Sequence, residues 1–316
     1  MDDLIAAAGY TADGPGVAVV VRDADGLRQA ASGLAAPHTP FTPNTVSYLA
    51  SVSKQIVGAC AALLVVQGRL DVESRLREWL PELPGWADTV RIRHLIHHTG
   101  GLPADPELQD RIGESRWDSP SVLRALTACP ELRFTPGSRW EYCNAGYICL
   151  VAVIDRITPF ADLARRELFE PFGLTQTGFR ADAPPAGAAI GCPAIEREWA
   201  LPLSIGDGGA WSTADDVRRW NDAMLPGGAL DDRVRELIGT PGHLDDGQPL
   251  DYGWGIGVRR PGGVLTHSHG GCWDGGWTAN TVRLPERGIT IALLSNDGDP
   301  QRMEGLTEGI FRTVSR

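Results

Sequence analysis

The stretch YLASVSKQIVGACAALL, residues 48 to 64, decides how the rest of the chain is read. Ile56, Val57, Cys60, Leu63 and Leu64 recur at helical spacing, which predicts a buried helix from Ser51 onward. Ser51 lies three residues before Lys54, so the two side chains share one face of that helix. Ser53 points about 100° away from Lys54 and is the worse partner. Of the 29 lysines and arginines, Lys54 is the only lysine. A guanidinium stays protonated in a protein, whereas an ammonium gives up its proton readily when buried or set beside another cation. A chain that uses arginine everywhere else and lysine here points to a proton that has to move. A serine in a first helical turn can also be a plain N-cap. The same turn aims backbone N–H groups at whatever approaches the hydroxyl, which suits a developing anion.

The gross numbers limit what this helix can serve. A chain of 316 residues can bury a large core in one or two lobes. Its net charge of −11 argues against nucleic acid and against an anionic membrane surface as partners. The opening MDDLIAAAGYTADGPG starts acidic and has no basic region ahead of a long apolar run. Neither a signal peptide nor a membrane span is therefore expected, and the cytoplasm is the expected location. Cys60, Cys129, Cys143, Cys149, Cys192 and Cys272 show no paired spacing, so free thiols are expected rather than disulfides.

Strand patterns occupy both ends of the chain and helical patterns the middle. GVAVVVRDADGLRQAASG reads as two strands joined by a turn at Asp23 to Gly26. From Ser51 to about Leu225, helical periodicity alternates with Pro- and Gly-rich loops. From Tyr252, YGWGIGVRR, GVLTHSHGG, WTANTVRL and GITIALLSN read as successive antiparallel strands, and a last helix begins near Gln301. Segregated strands and helices make the chain α+β. The terminal strands must then share one sheet, with the helical middle inserted between them. No internal repeat or low-complexity tract interrupts this plan.

With these blocks in order, the chain resembles the serine β-lactamase and penicillin-binding-protein superfamily. The closest resemblance is to the branch of class C β-lactamases, D-aminopeptidases, DD-carboxypeptidases and related esterases. It rests on TPNTVSYLASVSK, GRLDVESRLREWLPELP, VRIRHLIHHTGGL, FTPGSRWEYCNAGYICL, LFEPFGLTQTGF, GDGGAWSTADDVRRW and HGG, which span nearly the whole chain. The implied fold is β-lactamase/transpeptidase-like: an antiparallel sheet flanked by helices, plus a mostly helical lobe. Residues 1–316 would form one catalytic domain, with the sheet lobe from about 1–50 and 245–316 and the helical lobe from about 51–244.

The resemblance implies a role for each matching residue. In Ser51-Val52-Ser53-Lys54, the family's Ser-x-x-Lys element, Ser51 is the implied nucleophile. Tyr142-Cys143-Asn144 matches the Tyr-x-Asn element. An ammonium stabilises a neighbouring phenolate, so Tyr142 and Lys54 together are implied to take the proton from Ser51. Tyr142 would then return it to the leaving group. Asn144 would hydrogen-bond the acyl side of the substrate. His269-Gly270-Gly271 fits the third element, where small residues let substrate lie against the strand backbone. The backbone N–H groups of Ser51 and Cys272 would form the oxyanion hole. His269, with an ordinary pKa near 6.5, is expected to gain charge as pH falls and so to favour carboxylate-bearing substrates in acid. His267 is expected to serve packing or the rim of the site.

Two other clusters invite different readings. His94, His97 and His98 stand at spacings a zinc site could use, but they fall inside a family block that is structural, so no metal and no cofactor is expected. GDGGAWSTADDVRRW looks like a phosphate loop but lacks a lysine after its glycines. Ser212 with Asp215, or Thr213 with Asp216, reads better as a helix capping box. The expected protein is a serine hydrolase that forms an acyl-enzyme on a small-molecule ester or amide. An acyltransferase, a β-lactamase or a DD-carboxypeptidase would use the same residues, whereas a silent binding protein should have lost one of Ser51, Lys54 or Tyr142. Selectivity is expected to lie in loops such as residues 103–119 and 180–199, and the oligomeric state is not readable.

Overall fold

The two ends of the chain build one sheet. The computed structural model describes residues 1–113, 116–192, 202–273 and 275–315. The N-terminal region supplies β1 (Val17–Asp23) and β2 (Gly26–Ser32). The C-terminal region supplies β3 (Gly257–Arg259), β4 (Thr266–Trp273), β5 (Trp277–Leu284) and β6 (Ile289–Ser295). Their order across the sheet is β2-β1-β6-β5-β4-β3, and every neighbouring pair is antiparallel. β1 joins the two regions by pairing Val17 with Ser295 and Val21 with Ile291. The turn at Asp23–Gly26 closes the β1–β2 hairpin as the sequence leads one to expect.

The continuous apolar run of β1 follows from burial on both faces. Val17, Val19 and Val21 pack with Ile5 of α1 (Asp2–Ala7) and with Met303, Leu306 and Ile310 of the last helix. Ala18 and Val20 join Ala292, Leu294 and Ala279 against the helical middle of the chain. That middle contains α2 (Lys54–Val66), α3 (Ile92–Ile96), α4 (Asp105–Ile112), α5 (Asn144–Ile157), α6 (Ala214–Ala223) and α7 (Asp232–Gly239), with shorter pieces between them. The final helix, α8, runs from Pro300 to Val314. Helix α2 lies at the centre and packs on α5 and α7. Ile56, Val57, Cys60 and Leu64 are buried, and each such aliphatic side chain contributes about 1.5–3 kcal/mol by leaving water.

The structure departs from the expected elements near α2. The α-helix begins at Lys54, not Ser51, and is preceded by a 3₁₀ turn over Ala50–Ser53. Ala50, at φ +45°, ends the short strand Ser47–Tyr48 by an abrupt reversal, and the chain enters the helix through a tight i→i+3 turn. Of YGWGIGVRR only Gly257–Arg259 is strand. The preceding Gly255 has φ +78°, and a Cβ there would collide with the Lys54 carbonyl, so this segment lies flat against the first turn of α2. The six-residue N-terminal helix is too short to show a 3.6-residue period, and the short ladder Ser47–Tyr48, Ala210–Ser212 and Gly178–Phe179 too short to show alternation. Among the described residues, no helix is long and apolar enough to cross a membrane.

Candidate active site

Ser51 and Lys54 meet at the junction of sheet and helices. The 3₁₀ turn places Lys54 Nζ 3.0 Å from Ser51 Oγ. Ser53 is not a second candidate, because it is buried and its Oγ accepts from the Ala210 N–H at 3.2 Å. Neither serine caps α2 through its side chain. Lys54 has no exposed surface, and its Nζ also donates to Asn144 Oδ1 at 2.8 Å and to the Asp207 carbonyl at 2.6 Å. Three acceptors around one nitrogen match the three hydrogens of an ammonium. This gives a second reason for a lysine at position 54. A planar guanidinium presents its donors in a fixed fork and cannot converge on three points around one atom.

Asn144 opens α5, and both ends of its amide are engaged. Its Oδ1 accepts from Lys54, and its Nδ2 donates to Asp105 Oδ2 at 2.5 Å. Burial raises the Asp105 carboxyl above its ordinary range, against the pull of Asn144 and Lys54. Asp207 closes the other side. Its carbonyl takes Lys54, its Oδ2 accepts from Trp117 Nε1 at 3.2 Å, and its buried Oδ1 has no partner among the described residues. Asp105, Trp117 and Asp207 were not singled out from the sequence. Asp105 and Trp117 fall in the 103–119 loop expected to set selectivity. Residues 114–115 and 193–199 of the two selectivity loops lie outside the described residues.

Tyr142 stands over the same ammonium, with Lys54 Nζ 4.9 Å from its ring centroid and 37% of its surface exposed. It is held from below by His98. The His98 carbonyl accepts from the Glu141 N–H at 2.9 Å, and its Nδ1 accepts from the Cys143 N–H at 3.1 Å. The two rings are 4.4 Å apart. His98 itself sits at φ +57°, a strained conformation that persists only when its surroundings enforce it. The HLIHH block is thus dispersed to separate tasks. His94 Nδ1 accepts from the Arg91 N–H at the start of α3, His97 lies edge-on to Trp254, and His98 seats the tyrosine. Burial pushes His94 and His97 down to about 4, and His98 well below its ordinary value. Among the described residues no cluster of His, Cys, Asp and Glu could hold a metal ion. The other motif with two readings is a helix cap: Thr213 Oγ1 accepts from the Asp216 N–H, while the Asp216 carboxylate turns to Gln176 and Thr177 instead of completing the box.

The opposite wall is the part of β4 that runs on beyond the three residues paired with β3. Gly271 faces the nucleophile turn, and a Cβ there would collide with the Leu49 carbonyl and stand 3.0 Å from the Ser51 nitrogen. Only glycine lets strand and turn come this close. Cys272 follows it, with an exposed thiol 3.9 Å from the Gly298 carbonyl. His269 corrects an expectation. Its Nε2 is 3.0 Å from the Tyr252 hydroxyl and its Nδ1 is 2.6 Å from the Gly270 carbonyl. The carbonyl requires a proton on Nδ1, while Nε2 exchanges a hydrogen bond with a hydroxyl that can donate or accept. Burial and the Lys54 ammonium push its pKa down to about 3. His269 therefore does not gain charge between pH 8 and 5, and both of its nitrogens are already used. Tyr252, the residue that orients it, also packs on His98 at 4.7 Å and was not foreseen. Ser51, Tyr142, His269, Cys272, Asn280 and Glu304 line a cavity of about 540 Å³, a size that suits a small molecule.

Comparison with known proteins identifies the family and the fold. The beta-lactamase family profile matches residues 1–314. The chain is 26% identical to penicillin-binding protein 4* of Bacillus subtilis over 84% of its length, but spans only 64% of that protein. It is 29% identical to esterase EstB of Burkholderia gladioli, covering 89% of this chain and 85% of the esterase. To a D-aminopeptidase of Gluconobacter oxydans it is 26% identical, covering 90% of this chain and 56% of the peptidase. The crystal structure of a penicillin-binding protein from Bacillus halodurans superposes with a TM-score of 0.82 at 22% identity, over 99% of both chains. At that identity the superposition speaks for the shared fold.

Proposed function

The chain belongs to the beta-lactamase family, and from that premise we propose that it is a serine hydrolase working through an acyl-enzyme on a small ester or amide. The observation that carries this reading is the 3.0 Å contact between Ser51 Oγ and a fully buried Lys54 held by two further acceptors. The ester and D-amino-acid chemistry named for the relatives supports the substrate class. Ser51 attacks the carbonyl carbon as its proton passes to Tyr142, which stands as the phenolate beside the Lys54 ammonium to receive it. Tyr142 and Lys54 thus act together as the base, and the ammonium then faces the negative charge that develops on the reacting oxygens. Tyr142 then protonates the leaving group, and water completes the cycle. The N–H groups of Ser51 and Cys272 bind the oxyanion, an assignment supported by the close approach of β4 to the nucleophile turn at Gly271.

Asn144 is engaged by Lys54 and Asp105, so its first task is to hold the ammonium, and a substrate acyl group would share its amide hydrogens. His269, Gly270 and Gly271 form the substrate-facing strand, with His269 as a neutral wall. The whole of residues 1–316 acts as one catalytic domain in this scheme. The test is a panel of p-nitrophenyl acyl esters, D-amino acid amides and a chromogenic cephalosporin, read as turnover and as acyl-enzyme mass. Hydrolysis of short esters or amides is expected, with little or none of the cephalosporin. Products that form only when an amine or alcohol acceptor is added would mean an acyltransferase, and efficient cephalosporin turnover a β-lactamase.

A further inference from the structure

Arg283 is the most unusual charge in the molecule. It lies on β5, on the face turned to α2 and α6, with no exposed surface. Its Nη1 donates to Gln55 Oε1 at 2.7 Å and to Asn221 Oδ1 at 2.9 Å, both of them neutral acceptors. Its Nε and Nη2 are buried with no partner among the described residues, and so is Gln55 Nε2. Among the described residues no acid compensates the guanidinium. The Asp222 carboxylate, next to Asn221, is taken by Arg22 at 2.9 Å and Arg218 at 2.5 Å. His267 pairs opposite Arg283 on β4, and burial with the guanidinium pushes it down to about 3, so it adds no charge of either sign.

The surplus of donors does not depend on how the amides are oriented. Gln55 Oε1 also accepts from Trp220 Nε1 at 3.3 Å. Asn221 Oδ1 also accepts from Thr281 Oγ1 at 2.7 Å, while its Nδ2 donates to the Ile291 carbonyl at 3.1 Å. Flipping either amide would set donor against donor. What remains is a buried cation and three donor nitrogens without an acceptor, a combination that is costly unless something negative fills it.

We propose that Arg283 binds a small monovalent anion, chloride in ordinary buffers, between the main sheet and the first turns of α2. Nε and Nη2, which form one edge of the guanidinium, are its donors, and Gln55 fixes the opposite side of the group through Nη1. The anion neutralises the guanidinium and ties β5 to the residue that follows Lys54, so it stabilises the fold under the active site without touching substrate.

Two measurements test the site. Crystals grown in bromide should show an anomalous peak within hydrogen-bond reach of Arg283 Nε and Nη2. In solution the melting temperature should rise with chloride or bromide when gluconate is exchanged for halide at constant ionic strength. Arg283→Met should abolish that rise, and Gln55→Leu, which keeps the guanidinium, should move it to severalfold higher halide concentration. If Arg283→Met does not fold, the anomalous map and the Gln55→Leu titration still decide. A map with only water-like density at Arg283 would overturn the proposal, as would a halide response identical in wild type and Gln55→Leu.

Discussion

The active-site cleft has two unlike walls. On the α2 side, Lys54, Asn144, Asp105 and Asp207 form a hydrogen-bonded chain that is largely withdrawn from water. On the β4 side, Gly270 and Cys272 are exposed, and the one polar side chain facing the site from the strand, His269, spends its nitrogens on the protein. The first wall fixes a charge at a point, and the second offers shape and backbone. Rate should therefore depend on the closed wall far more than on the open one, whose changes should act on substrate preference.

The largest effect is expected at Lys54. Lys54→Arg keeps the charge but cannot converge on Ser51, Asn144 and Asp207, and kcat/KM should fall by a factor on the order of 100 or more. Tyr142→Phe should cost a similar factor, and the double variant little beyond either single change, because the two groups act as a unit. Near-normal turnover of Lys54→Arg would erase the distinction between the walls.

Gly271→Ala comes next. It changes only the open wall, yet it pushes that wall off the Leu49 carbonyl. Misplacement of about an ångström costs up to about 100-fold, so a drop of about 10- to 100-fold in kcat is expected together with a lowered melting temperature. An unchanged kcat would mean that the strand and the nucleophile turn are not held in register by this contact.

The buried histidines on both sides carry an acid sensitivity. His94, His98 and His267 are buried and held neutral. Below pH 6.5 the unfolded chain protonates these rings and the folded chain does not. Stability is therefore full above pH 6.5 and falls as pH drops, until the folded values near 4 and 3 are reached. Each such ring withdraws up to about 1.4 kcal/mol per pH unit in that window. Chemical denaturation at pH 7.5, 6 and 5 checks this, and a midpoint that does not move would contradict it.

The smallest effect is expected at His269. With its pKa pushed down to about 3, the preference for carboxylate-bearing over neutral esters should be flat between pH 8 and 5. His269→Ala should change that preference by no more than about fivefold, the value of one neutral hydrogen bond near 1 kcal/mol. A preference that rises in acid with a midpoint near 6.5, and is lost in His269→Ala, would restore a charged histidine to the open wall.

The asymmetry also sorts what the sequence could reveal. Ser51 and Lys54 were legible because three residues of helical spacing suffice to bring them together. The strands of the sheet were legible from alternation and turn residues, even though the sheet joins Val17 to Ser295. Asp105 and Asp207 were not, because Asp105 meets Lys54 only through the Asn144 amide, 39 residues from the one and 90 from the other, and Asp207 only through a main-chain carbonyl 153 residues away, none of which carries a local pattern. The start of α2 was misread by three residues because the positive φ of Ala50 is imposed by tertiary packing and not by any turn residue. His269 was placed correctly, but its chemistry was set by Tyr252 and Lys54, which no spacing rule connects to it.

The central claim, that the closed wall exists to make Ser51 the nucleophile, is tested most directly by mapping the site of a fluorophosphonate label by peptide mass spectrometry. The label should fall on Ser51, disappear together with turnover in Ser51→Ala, and persist in Ser53→Ala. A label on any other residue, or turnover that survives in Ser51→Ala, would contradict it.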